Sequence, residues 1–87
     1  MNRLILHVVP AECNKRRAWR IKLAENSRTE AFGDASLTKT YTTKKEAVYD
    51  AVRLCKANKP SQVKIHKNNG VFQSERTYGN DPRKYVG

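Results

Sequence analysis

Apolar residues change their spacing twice along this chain. Ala47, Val48, Ala51, Val52, Leu54 and Cys55 recur at the interval of an α-helix. Trp19, Ile21 and Leu23 before them, and Val63 and Ile65 after them, occupy every second position, the interval of a strand. A helical stripe flanked by period-two segments leaves few architectures open: the strands form one sheet and the helix covers one of its faces. The chain has 87 residues, enough for one domain. A chain of this size buries only about 60–65% of its unfolded surface, so its core is small.

Residues 3–9 are apolar and β-branched and read as a strand that stops at Pro10. Residues 10–17 read as a polar, basic loop or hairpin turn, and 18–23 as a half-buried strand. Residues 24–35 are polar, with Gly33-Asp34 as a turn signal. A short third strand is expected over 36–41, with Leu37, Lys39 and Tyr41 on one face. Thr43-Lys44-Lys45-Glu46 has the form of a capping box, a threonine N-cap followed three residues later by glutamate. It predicts a helix over 43–57, ended by Asn58-Lys59-Pro60. Residues 62–67 alternate again, Asn68-Asn69-Gly70 predicts a type I′ hairpin turn, and 71–78 supply its second strand. The expected fold is α+β: an antiparallel sheet of four to five strands with one helix packed on one face, in the order β-β-(β)-α-β-β. One domain is expected over residues 1–82, with a flexible tail over 83–87.

Charge says most about partners. Lys and Arg number 18 against 8 Asp and Glu, a net charge of +10. Such a surplus repels itself in the compact state and attracts polyanions, of which nucleic acid is the commonest. Strand alternation suggests where the charge collects. If Trp19, Ile21, Val63 and Ile65 face the helix, Arg20, Lys22, Lys64 and His66 face away from it, and Arg3 and His7 of the first strand join them. That face could hold phosphates. Lys15, Arg16 and Arg17 form a second basic group, expected to reach a polynucleotide backbone from a loop. Thr43, Lys44 and Lys45 make a third candidate, an anion site at the free N–H groups of the helix start. There the lysines oppose the helix dipole, and Glu46 already offsets them.

Other chemistry is poorly supported. His7, Cys13, Cys55 and His66 are suitable zinc ligands, but they lack the close pairs of structural sites, so no metal is expected. No cofactor is expected either: there is no phosphate-binding glycine loop and no paired-carboxylate motif. Cys13 lies near Lys15 and Arg16, which could activate a thiol, but nothing sets a base and an orienting carboxylate beside it. The chain therefore reads as a binding module and not an enzyme. Cys13 and Cys55 are expected to stay reduced and unpaired. The apolar run Leu4–Val9 is short, interrupted by His7 and ended by Pro10, unlike a signal peptide. No segment approaches the ~20 apolar residues of a membrane span. A cytoplasmic protein without membrane contact is the expectation.

Five stretches occur in a recognisable order: His7-Val8-Val9-Pro10, Trp19-Arg20-Ile21-Lys22, Thr43-Lys44-Lys45-Glu46-Ala47, Val63-Lys64-Ile65-His66 and Tyr78-Gly79-Asn80-Asp81-Pro82. Together they resemble the short bacterial and phage proteins of domain-of-unknown-function family 2188. The resemblance covers nearly the whole chain, supports the α+β fold and implies a domain end at Pro82. It implies no activity, because that family is uncharacterised. This chain has a longer segment between the tryptophan strand and the helix than is usual there, and more positive charge. The tryptophan strand and the helix start are also similar, at the level of fold, to the three-stranded DNA readers of the AP2 and integrase-arm type, whose sheet lies in the major groove. The function expected is nucleic-acid binding through the open sheet face and the 15–17 loop. The alternative is a protein-binding module or inhibitor that covers an acidic partner surface.

Overall fold

The computed structural model describes residues 3–27, 29 and 33–79, and of Cys13 only the backbone. The expected domain end at 82 and the tail over 83–87 lie outside them.

Strand β1 (Leu4–Cys13) continues through Pro10, where the sequence predicted a stop. Odd-numbered residues of β1 bond toward its antiparallel partner β2 (Arg16–Leu23); Ala24 N, for example, donates to the Ile5 carbonyl at 2.9 Å. Position 10 therefore points to the other side, where pairing of β1 ends at Val8. The proline's missing N–H thus removes no ladder bond. Of the loop or hairpin turn expected over 10–17, the hairpin turn is what forms, and it is shorter than that stretch. The stretch comprises the end of β1, a two-residue turn and the start of β2, with Cys13 opposite Arg16. Asn14 and Lys15 form that turn with φ of 54° and 66°, the doubly left-handed geometry of a type I′ turn.

Of the third strand expected over 36–41, only β3 (Thr40–Tyr41) forms. Asp34 takes the backbone N–H of Ser36 at 2.8 Å and winds Ala35–Leu37 into a 3₁₀ turn instead. Helix α1 (Lys44–Ala57) begins as expected, with the Thr43 hydroxyl accepting from Glu46 N at 3.2 Å. The Asn58 amide closes it by donating to the Leu54 carbonyl at 2.9 Å. Strands β4 (Ser61–His66) and β5 (Phe72–Tyr78) follow as a hairpin. Its turn is not type I′, because only Gly70 takes a positive φ, 89°. Gly70 N donates to the Lys67 carbonyl at 2.8 Å, and Lys67 N to the Val71 carbonyl at 2.7 Å, a three-residue loop with glycine at its left-handed position.

The five strands form one sheet in the spatial order β3-β2-β1-β4-β5, which is not their order along the chain. The sheet is mixed, not antiparallel as expected. β1 pairs β2, β2 pairs β3 and β4 pairs β5 antiparallel, but β1 and β4 run parallel, with Leu4 opposite Ser61 and Val8 opposite Ile65. The helix is the cause. β3 runs in the direction of β1, and α1 carries the chain back to where β1 began. β4 can then only set out alongside β1, the crossover that parallel strands need.

One sheet face carries Leu4, Leu6, Val8, Trp19, Ile21, Tyr41, Val63 and Ile65. They meet Ala47, Ala51, Leu54 and Cys55 of the helix, with the two alanines fully buried at the contact. Burying each of the largest, such as Leu4 and Leu6, stabilises by about 1.5–3 kcal/mol. Ser61 lies wholly buried in the same layer, its hydroxyl donating to the Cys55 carbonyl at 2.6 Å. Among the described residues no helix packs on the other face.

Candidate functional site

Strand register decides which polar residues share the open face. His7 lies opposite Lys22 on one side and Lys64 on the other, and Lys64 lies opposite Glu75. A row Lys22–His7–Lys64–Glu75 therefore crosses four strands. Beside it, Arg20 lies between Val9 and Thr40, and His66 opposite Phe72. The alternation that expected Arg20, Lys22, Lys64, His66 and His7 on one surface is correct. Arg20 and Lys22 are exposed; Lys64, His7 and His66 are half-buried. Arg3, just before β1, is half-buried too. Its Nε is shut off from solvent without a hydrogen-bond partner among the described residues.

At the centre the two histidines touch. His7 Nδ1 stands 3.0 Å from His66 Nε2, and His66 Nδ1 stands 3.2 Å from the Gly70 carbonyl. A carbonyl can only accept, so His66 carries its proton on Nδ1 and offers the Nε2 lone pair to the Nδ1–H of His7. His7 Nε2 can then gain a proton without breaking either bond. Burial holds the His7 pKa below its ordinary value, and His66, Lys64 and Lys22 press it further down. A phosphate over this row would act in the opposite sense.

The other two candidate groups do not form as expected. Lys15 sits at the hairpin tip, and Arg16 and Arg17 belong to β2. Alternation puts Arg16 on the side of Arg20, while Arg17 falls on the opposite side, across from Glu12. All three are exposed, but they form no common loop grip. At the helix start, Thr43 is occupied by Glu46 N, and the Lys44 ammonium bonds the Gln73 side chain and lies 5.3 Å from the centre of the Trp19 ring. Lys44 therefore ties the helix to the sheet. Lys45 alone of that group is fully exposed among its lysines, beside a groove lined by Lys39, Tyr49 and Asp50.

Tyr41 hydroxyl donates to Asp50 Oδ2 at 2.7 Å under that groove, and burial pushes its phenol pKa up. Cys55 is a free, fully buried thiol whose pKa burial also raises, against a smaller opposing effect of Ser61. Among the described residues no three His, Cys, Asp or Glu side chains converge, and no helix is long and apolar enough to cross a membrane.

Sequence reasoning missed the place of Phe72. Its ring is 49% exposed and stands edge-on to His66, with centroids 5.9 Å apart and planes at 85°. His66 in turn lies 5.2 Å from His7. Pairing His66 with Phe72 across the Asn-Asn-Gly turn would have found the contact. A β-bulge beside His66 shifts the register there, and simple counting does not place it.

No curated protein and no solved structure matches the chain. Residues 6–78 match the family described as "Uncharacterized protein conserved in bacteria", DUF2188. That span runs from the third residue of β1 to the last residue of β5, so it takes in the helix and all of the sheet except Leu4 and Ile5, and the chain belongs to the DUF2188 family.

Proposed function

We propose that the protein is a non-enzymatic module that binds nucleic acid through the open face of its sheet. The observation that carries this reading is the convergence of Arg20, Lys22, His7, Lys64 and His66 on the sheet face opposite the helix, in a chain of net charge +10. Lys22 and Lys64 flank His7 on either side of β1, two strand spacings or about 10 Å apart, close enough for one sugar–phosphate backbone to meet both. The histidines spend their N–H groups on each other and on a backbone carbonyl, which leaves His7 Nε2, once protonated, to donate to an anion.

The test is a binding isotherm on labelled nucleic acid as salt is varied. A triple change of Arg20, Lys22 and Lys64 to Gln should weaken binding and lower the magnitude of the slope of log K against log salt by roughly one per lost phosphate contact. Lys56→Gln with Lys59→Gln, at the far end of the helix, should change it much less. Equal losses from both sets would mean diffuse attraction and no defined site. No binding at about 0.15 M salt, together with capture of an acidic protein from nuclease-treated lysate, would replace nucleic acid by a protein partner.

A further inference from the structure

We infer that the strand bound by this face is single-stranded, with its bases stacked on the ring of Phe72 beside the histidine pair. This deepens the nucleic-acid reading and rests on it.

The described aromatic residues divide sharply. Trp19 and Tyr41 are buried on the helix side of the sheet, Tyr78 packs against the same core, and Tyr49 is exposed on the helix. Phe72 is different: half its surface is open, and it shares its face with the cations. A phenylalanine placed for stability would be turned into the helix-side core, where burial is favourable. On this face its ring adds little to the fold and offers a flat apolar surface to a ligand. Phe72, His66 and His7 lie on β5, β4 and β1, so three rings cross the sheet one after another, with neighbouring centroids 5.9 and 5.2 Å apart. Lys64 lies beside His7 on one side and Lys22 on the other. Cations that follow a backbone, interleaved with rings that accept base faces, are the elements of single-strand recognition.

A duplex suits the surface less well. Its bases are stacked on one another and present only their edges. From Arg20 on β2 to Phe72 on β5 the surface spans four strands, about 14 Å at the usual strand spacing, against a major groove about 12 Å wide. A flexible single strand can lay its bases on Phe72 and its phosphates on Lys64, His7 and Lys22 together.

The experiment uses the full chain and three labelled probes of about 16 nucleotides, the upper end of single-domain site sizes: oligo-dT, oligo-U and a duplex of equal length, at about 0.15 M salt. At least one single strand should bind ten-fold or more tighter than the duplex, with the two single-stranded arms separating DNA from RNA. Phe72→Ala should weaken single-strand binding by roughly 5- to 100-fold and leave the salt slope unchanged, with the variant still folded at the assay temperature. Phe72→Trp should restore it. Duplex binding as tight as single-strand binding would overturn the inference, and would favour the major-groove docking of sheet-type DNA readers. So would a Phe72→Ala variant with undiminished single-strand affinity, and either result leaves the basic face standing. Failure of all three probes would instead remove the basic-face reading and this inference with it.

Discussion

Lys59 lies across Gly79: a Cβ built on that glycine would stand 2.5 Å from the Cβ of Lys59. Gly79 also holds φ at 85°, a region that costs an L-residue about 1–2 kcal/mol. Gly79→Ala should therefore lower stability by about 1–3 kcal/mol, or roughly 4–8 °C of melting temperature per kcal/mol for a domain this small. Lys59→Ala should not rescue it, because the nearest atom is the Cβ that alanine keeps. A melting temperature unchanged in Gly79→Ala would contradict this crossing of the two segments.

Acid should weaken the fold through His7. Its folded pKa lies below the ordinary 6.5, so below that pH the unfolded chain binds the proton more readily. This contribution is absent above about pH 6.5 and grows as pH falls toward the lowered folded value. Urea midpoints measured at about pH 7.5 and about 5.5 should fall with acid, and His7→Asn should flatten the difference. Lys22, Lys64 and His66 surround the ring, so a polyanion that neutralises them should reverse the trend and bind more tightly at the lower pH. The same slope in His7→Asn and in the unmodified protein would assign the effect elsewhere.

The turn residue Lys15 is strained where glycine would not be. It adopts φ 66° without a side-chain amide to support it. Replacing it by glycine removes about 1–2 kcal/mol of steric cost and returns about 0.5–1 kcal/mol as chain entropy. Lys15→Gly should be neutral to about 1 kcal/mol more stable. Thermal melts showing a clear loss would argue against the type I′ turn.

A buried thiol should be silent. Cys55 has no exposed surface and a raised pKa, so it offers little thiolate to a disulfide reagent. In a Cys13→Ser variant, titration with an aromatic disulfide should show no fast thiol in native buffer and one thiol in denaturant. Rapid modification of the native variant would place Cys55 outside the core.

Local chemistry was readable in advance and long-range pairing was not. Thr43 and Glu46 lie within one helical turn, so their hydrogen bond is written in four letters of sequence. The alternation of Arg20 and Lys22, and of Lys64 and His66, fixed which face they occupy because the period of a strand leaves only two choices. The direction of β4 was hidden, since Val63 and Ile65 alternate in the same way whether the neighbour runs parallel or antiparallel. Pro10 reads as an end because a proline in a central strand loses a bond. Only the early end of β4's pairing at Val8 makes that position harmless. The contact of Phe72 with His66 depends on a bulge, one extra residue whose position no pattern announces. Lys44 reads as part of an anion site at the helix start because nothing nearby in sequence shows Trp19 and Gln73 closing around it.

The parallel pairing of β1 with β4 sets the schedule on which the chain can mature. Leu4, Leu6 and Val8 are made well before Ser61–Ile65, and one flank of their strand stays unsatisfied until those residues arrive. The β1–β2 hairpin can close early, through its tight turn at Asn14-Lys15. It then waits with an apolar edge exposed while the helix is synthesised and leaves the ribosome. Assembly of the central strands thus has to wait until β4 has been made, and the nascent hairpin is the species most exposed to wrong partners and to chaperones.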